Sequence, residues 1–299
     1  MRRLFAILLL LSSPAAARAA PEVVVDIAPI RALVAQIMEG VGEPAQIIPT
    51  GSSPHDYAMR PSEARALRNA DLVIWVGPAL THWLEEPLDS LAGDAGRMTL
   101  MSLPLTHKLP LREADTDAHD HSHSHEHEGD TDPHGWLSPL NAAVWAEAVA
   151  EKLAQIDPEN AQIYAANWQT LRGELAALVR ELDALFLPYR ETPFIVLHDS
   201  FHYFEAAFDI EAQASIIPAD GSSPGPARLK ALRDDLAEHP VVCAFTAPQE
   251  NDALLRTALA EQGTHIAVLD PMGDGEMSYA TLMRRFADDM VSCLAKGTR

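Results

Sequence analysis

Short β-rich apolar runs alternate with helical patterns along the chain, in two sets separated by one unusually long amphipathic stretch. In the first set Glu22–Ile27, Ala45–Pro49, Asp71–Val76 and Met98–Met101 read as strands, with helices at Pro29–Glu39, Pro61–Asn69, Ala79–Leu91 and Pro139–Gln155. In the second, strands at Phe194–His198, Glu211–Ile216, Val241–Ala247 and His265–Leu269 alternate with helices at Ser200–Ala207, Pro226–Glu238, Gln249–Gln262 and Ser278–Leu294. Strands that alternate with helices imply α/β units with mostly parallel sheets. Two such sets imply two lobes.

The stretch between them opens on Asp157-Pro158, an N-cap residue followed by proline at the first helical position. Ile163, Trp168, Leu171, Leu175, Leu178, Leu182, Leu185 and Phe186 then recur mostly every three or four residues until Pro188 ends the pattern. At 1.5 Å per residue such a helix runs roughly 40 Å. The expected architecture is α/β, with two mostly parallel-sheet lobes joined by one long rigid helix. The alternative is a long core helix within one domain. The expected division is a signal segment 1–19, an N-terminal lobe 20–157, a linking helix 158–187 and a C-terminal lobe 188–299.

Met1-Arg2-Arg3, the apolar run Leu4 to Leu11 and the small residues Ser12 to Ala20 have the form of a secretory signal peptide. Cleavage is expected after Ala17-Arg18-Ala19, since a cut one residue later would put Arg18 where a small side chain is required. No Cys follows the run to carry a lipid, and no later stretch approaches the ~20 apolar residues of a spanning helix. The expected product is exported, without a membrane anchor. Losing Arg2, Arg3 and Arg18 takes the formal charge from -21 to -24, which disfavours nucleic acid and anionic membrane surfaces as partners. In an oxidising compartment Cys243 and Cys293 are expected to form one bridge, worth roughly 4 kcal/mol in the chain-entropy account, with two buried free thiols as the alternative.

The segment from Glu113 to Asp132 holds eight acidic residues, five histidines and no Lys, Arg or large apolar residue. Unable to bury itself, it is expected to be a disordered loop over 113–132. Its alternating His119, His121, His123, His125 and His127 suit weak capture of a divalent ion, because ordering the loop around the ion costs entropy.

Other histidines stand singly at strand ends. His55 follows the strand ending at Pro49, His134 precedes a helix, His198 ends a strand, and Asp270 ends another. Ligands of open α/β sheets bind beyond the carboxyl ends of the strands. Three imidazoles and one carboxylate converging there would make a four-coordinate site suited to Zn²⁺; taken singly, a strand-end His or Asp is more often a hydrogen-bonded structural group. His82, His107, His239 and His265 read as surface or structural positions. His202 lies four residues after His198, but the intervening residues lack the glutamate of a His-Glu-x-x-His protease motif, and it is not expected to be a ligand. No nucleophile elbow, phosphate-binding loop or dinucleotide fingerprint is present.

Five segments together carry a resemblance: Gly51-Ser-Ser-Pro-His-Asp-Tyr57 with Arg60-Pro-Ser62, Asn69-Ala-Asp-Leu-Val-Ile-Trp-Val-Gly77, Asp132-Pro-His-Gly-Trp-Leu-Ser-Pro139, His198-Asp-Ser-Phe-His-Tyr-Phe204 and Leu269-Asp-Pro271. In these the chain resembles the ZnuA family of periplasmic zinc-binding proteins, which serve ABC importers. The resemblance implies a monomeric carrier, not an enzyme, that delivers Zn²⁺ to an inner-membrane permease. It implies a metal site in the cleft between the lobes, carries the ligand role to His55, His134 and His198, with Asp270 or water fourth, and supports the Cys243–Cys293 bridge. Pro54 stands where some relatives place a liganding glutamate. Ala247 stands where relatives have glutamate before a proline, and it has no side-chain carboxylate to support a ligand from that position. The rival from another class is a secreted zinc hydrolase, which needs an open coordination position and a nearby base.

Overall fold

A computed structural model of the protein describes residues 20–112, 131–260 and 263–298. The signal segment 1–19 and the histidines from His119 to His127 lie outside the described residues.

Each lobe is a four-stranded parallel sheet. In the N-terminal lobe β1 (Val23–Val25), β2 (Ala45–Gln46), β3 (Leu72–Trp75) and β4 (Gly96–Thr99) lie in the order β2-β1-β3-β4. In the C-terminal lobe β5 (Phe194–His198), β6 (Ala214–Ile217), β7 (Cys243–Thr246) and β8 (His265–Val268) repeat it as β6-β5-β7-β8. The central strands β1, β3 and β7 are buried throughout, and β5 is buried up to its last residue. That is why they read as apolar runs and not as alternating patterns. Along β5, Phe194 and Val196 join the large core while Ile195 and Leu197 face a second cluster under α7 (Pro226–Glu238) and α8 (Ala253–Ala258).

The remaining helices are α1 (Ala28–Met38), α2 (Pro61–Asn69), α3 (Glu85–Leu91), α4 (Pro139–Ile156), α5 (Ala161–Phe186), α6 (His202–Phe208) and α9 (Tyr279–Leu294). The long stretch between the lobes folds as a 3-10 turn, Pro158–Asn160, followed by α5. Asp157 accepts hydrogen bonds from Asn160 Nδ2 at 2.8 Å and from the Tyr164 hydroxyl at 2.7 Å, fixing the entry. Tyr164, Trp168, Leu171, Leu175, Leu178, Leu182 and Phe186 form its buried stripe, against α1, α4 and α9. One apolar core thereby runs through both lobes. Cys243 and Cys293 are disulfide-bonded, tying β7 to α9.

Several expected boundaries move, and three of the differences bear on the site or have a local reason. Helix Ala79–Leu91 is a 3-10 turn, His82–Leu84, before α3, because Pro87 cannot sit beyond the first turn of an α-helix. Helix Gln249–Gln262 is described as a helix only over Ala253–Ala258, since residues 247–250 form a turn and the Asn251 side chain accepts the Ala253 N–H at 3.0 Å. Of the loop expected over 113–132, only residues 131 and 132 are among the described residues. Thr131 pairs with Pro110 in an antiparallel bridge and Asp132 is fully buried, because its carboxylate has a partner in His134.

The lobes are also joined across the cleft. Trp136 Nε1 donates to Pro271 O at 3.0 Å, and the Tyr279 hydroxyl donates to Trp136 O at 2.7 Å. On the other side the Tyr203 hydroxyl donates to Asp132 O at 3.1 Å and accepts from the Leu109 N–H at 2.9 Å. Arg112 completes that seam by pairing with Asp199 and Glu205.

Candidate metal centre

Three chain segments deliver one histidine each to the cleft. His55 lies on the turn after β2, where Trp83 Nε1 donates to Pro54 O at 2.9 Å and pins the loop. His134 precedes the 3-10 turn Gly135–Leu137 that leads into α4. A Cβ at Gly135 would lie 2.6 Å from Met101 Sδ and 3.2 Å from the Trp145 ring, so a side chain there would have to displace both. His198 is the last residue of β5, registered against Ile217 of β6.

The three rings meet edge to face, with centroids 5.5 Å apart for His55 and His134, 5.4 Å for His55 and His198, and 5.1 Å for His134 and His198. One ligand nitrogen from each lies within 4.8 Å of the other two. They open onto a cleft of about 550 Å³ lined from one lobe by Asp56, His82 and Trp136 and from the other by Asp220, Glu250 and Met272. An ion centred among nitrogens at most 4.8 Å apart would sit at most roughly 2.8 Å from each, against Zn–N bonds of about 2.0–2.1 Å. Each ring therefore needs to move inward by about 1 Å or less.

The electrostatics are those of a cation site. His55 Nε2 is buried and, among the described residues, has no hydrogen-bond partner. Burial, then the neighbouring His134 and His198, push its pKa down to about 3, so the ring stays neutral and keeps a lone pair for a cation. His134 is held from behind, with Nδ1 2.8 Å and its own N–H 2.9 Å from Asp132 Oδ1. Burial alone would raise the Asp132 carboxyl, but His134 outweighs it and keeps that group below the usual carboxylate range. His198 Nδ1 is 3.3 Å from Glu250 Oε1. Burial disfavours its charged form, yet the Glu250 carboxylate, then the Ala219 carbonyl and Asp199, together offset this and raise its pKa.

The structure does not bring Asp270 into this cluster. Its Oδ1 accepts the Met272 and Gly273 N–H groups, both at 3.0 Å, and so shapes the turn that carries Pro271 and Met272 to the cleft. His202 is also outside it. The helix α6 starts at His202, whereas His198 is still on the strand, so the two do not share a helical face. Its Nδ1 lies 3.5 Å from Asp132 Oδ2. His82 is exposed but lines the cleft mouth, a placement that residue type and local sequence do not signal. Asp132 and Glu250 are the other residues the sequence reading left without a role. Asp132, two residues before a histidine, carried a usable signal, since metal-bound imidazoles commonly donate to a carboxylate. Glu250 carried none, because it read as the start of a helix.

Two parallel α/β lobes that share one core and direct three imidazoles into the cleft between them define a two-lobed solute receptor whose pocket suits a small cation. The family model described as "Zinc-uptake complex component A periplasmic" (ZnuA) matches residues 23–293. The high-affinity zinc uptake system protein ZnuA of Paracoccus denitrificans is 39% identical over 301 residues, covering 92% of each chain. The protein of that name from Brucella suis is 33% identical over 306 residues, again covering 92% of each. A crystal structure of ZnuA shares the fold with a TM-score of 0.77 at 24% identity, covering 91% of this chain and 98% of that one. The chain belongs to the ZnuA family. Members of that family are binding components of a transport system and not enzymes, which sets the hydrolase alternative aside.

Proposed function

We propose that this chain is a high-affinity periplasmic zinc-binding protein that captures Zn²⁺ as cargo in the cleft and delivers it to an inner-membrane ABC permease. It acts as a monomer, exported by cleavage after Ala19, and it has no membrane anchor. Among the described residues no helix is long and apolar enough to cross a membrane. The division into lobes 20–157 and 188–299 about a linking helix 158–187 belongs to the same reading.

His55, His134 and His198 bind the ion, and Asp270, through its second oxygen, or water completes the shell. The observation that carries this is the buried, partnerless Nε2 of His55, set among two other imidazoles with all three ligand atoms within 4.8 Å. An unpartnered buried nitrogen costs about 1–3 kcal/mol, and a bound Lewis acid removes that cost. An all-imidazole set favours zinc over the harder manganese. The tract His119, His121, His123, His125 and His127 collects further zinc more weakly.

Chelator-competition titration at neutral pH tests the assignment. His55→Ala should lose the single tight equivalent, and Asp270→Ala separates carboxylate from water at the fourth position. Deleting residues 118–128 should remove only weaker equivalents. Unchanged tight binding in His55→Ala would remove His55 from the site, and loss of the tight site on the deletion would end the division of labour.

A further inference from the structure

The sheet order β6-β5-β7-β8 reverses between β5 and β7, and these strands pair directly in parallel. Their carboxyl ends therefore open side by side, at the position where ligand-handling groups gather in open α/β sheets. His198 ends β5. Four residues past the end of β7 stands Glu250, whose carboxylate is fixed by its own turn. Glu250 Oε2 accepts the Ala247 N–H at 2.8 Å and the Thr246 hydroxyl at 3.1 Å, while its backbone N–H donates to Ala247 O at 3.1 Å. That leaves Oε1 facing His198 Nδ1 at 3.3 Å, with both side chains largely buried.

Building on the three-histidine reading of the cleft, we propose that Glu250 is a positioning residue for the zinc site, accepting the Nδ1–H of His198 so that Nε2 carries the lone pair offered to the ion. It does for His198 what Asp132 does for His134, whose Nδ1 is 2.8 Å from Oδ1 of that carboxylate. The competing partner is explicit. His198 Nε2 lies 3.3 Å from the carbonyl oxygen of Ala219, an acceptor only. A neutral imidazole has one N–H, so it satisfies either Glu250 through Nδ1 or Ala219 through Nε2. The Ala219 tautomer places the proton on the nitrogen the metal needs. The Glu250 carboxylate, charged and fixed, is the stronger acceptor and selects the competent tautomer. Alanine at position 247, where relatives have glutamate, does not leave the ring unsupported: its backbone N–H holds the carboxylate supplied three residues later.

The test compares the parent, Glu250→Ala, Glu250→Gln and His198→Ala on the full mature chain. Zinc affinity is measured by chelator competition, the His198 tautomer by ¹⁵N-detected imidazole NMR of the zinc-free protein, and the coordination number by the visible spectrum of the Co²⁺ form. Glu250→Ala should bind zinc about 10- to 100-fold more weakly, move His198 toward the Nε2–H tautomer, and keep the parent's cobalt coordination. Glu250→Gln, nearly the same shape and still able to accept through its amide oxygen, should keep the Nδ1–H tautomer with an intermediate affinity. Unchanged affinity and tautomer in both Glu250 variants, alongside lost binding in His198→Ala, would overturn the positioning role alone. A changed cobalt coordination number in Glu250→Ala would overturn it by making Glu250 a ligand. Tight binding retained in His198→Ala would bring down the three-histidine site itself.

Discussion

Arg112 is the last described residue before the acidic segment, and replacing it with alanine is the sharpest perturbation of the seam between the lobes. Its guanidinium makes a forked pair with Asp199, including Nε to Oδ1 at 2.9 Å, and reaches Glu205 Oε2 through Nη1 at 2.7 Å. The two carboxylates are 2% and 1% exposed, against 23% for the arginine. Burial pushes the Glu205 carboxyl up even with the cation in place, and Arg112 and the Ala212 N–H hold it partly down. Removing one member of a buried ionic cluster typically costs about 3–5 kcal/mol, because the charge left behind is neither hydrated nor paired. For a chain of this size about 1 kcal/mol shifts the midpoint by roughly 2–4 °C, so Arg112→Ala should lower the zinc-free Tm at pH 7 by roughly 6–20 °C. The sign of the pH dependence follows. Without the arginine, the folded pKa of Glu205 rises further above its unfolded value, so the folded state holds the extra proton. Its deficit should be smallest below pH ~4.5 and grow as pH rises through the new folded pKa. Differential scanning calorimetry of both proteins between pH 4 and pH 8 measures this. A loss under about 2 °C at pH 7, or a deficit that shrinks as pH rises, would refute the reading of Arg112 as the counter-charge of a buried pair.

Two further outcomes follow from the same structure. His55 has a folded pKa of about 3 against an ordinary value near 6.5, so zinc-free protein should lose stability as pH falls from 6.5 toward 3, with a slope of up to about 1.4 kcal/mol per unit from this group. Urea melts of the parent and His55→Phe across that window should show the shallower decline in the variant; equal slopes would mean His55 is not the group resisting protonation. The Cys243–Cys293 bridge spans a sequence separation of 50 and should contribute roughly 4 kcal/mol by restricting the unfolded chain. A Cys243→Ser, Cys293→Ser double variant that melts at the parent's temperature would remove that contribution.

The fold was largely legible because its strongest signals are local. The stripe from Trp168 to Phe186 and the continuous apolar runs of β1, β3, β5 and β7 follow directly from burial on one face or on both. The three histidines were legible because each stands at an element boundary within a distinctive segment. What escaped was anything set by turn geometry. Glu250 read as helix, yet its side chain closes a turn on Ala247 and delays the helix to Ala253. Asp270 read as a ligand because it ends a run of strand residues; that its Oδ1 also accepts the two N–H groups that follow, leaving the second oxygen for the cleft, was not legible from spacing. Residue type and spacing do not distinguish a carboxylate aimed at a cleft from one folded back on its own backbone. His82 shows the converse case: it gains its place at the cleft mouth only from the fold around it.

The shared core bears on how such a cleft gains affinity. With α5 packed against α1, α4 and α9, and with Trp136, Tyr203 and Arg112 crossing the seam, swinging one lobe from the other would expose apolar surface and separate buried polar partners. Ring movements of about 1 Å or less need none of that. They need only side-chain rotation and small shifts in the turns carrying His55 and Glu250. Because the backbone around the rings is already ordered, little entropy is lost when the ion arrives, and the interaction energy goes into binding rather than into folding the site. The same rigidity keeps His55 Nε2 facing its neighbours without a partner. A more pliable cleft would turn that ring toward water and relieve the strain. In this molecule the unsatisfied nitrogen persists because the surrounding structure holds it in place, and that is the property a high-affinity cation site requires.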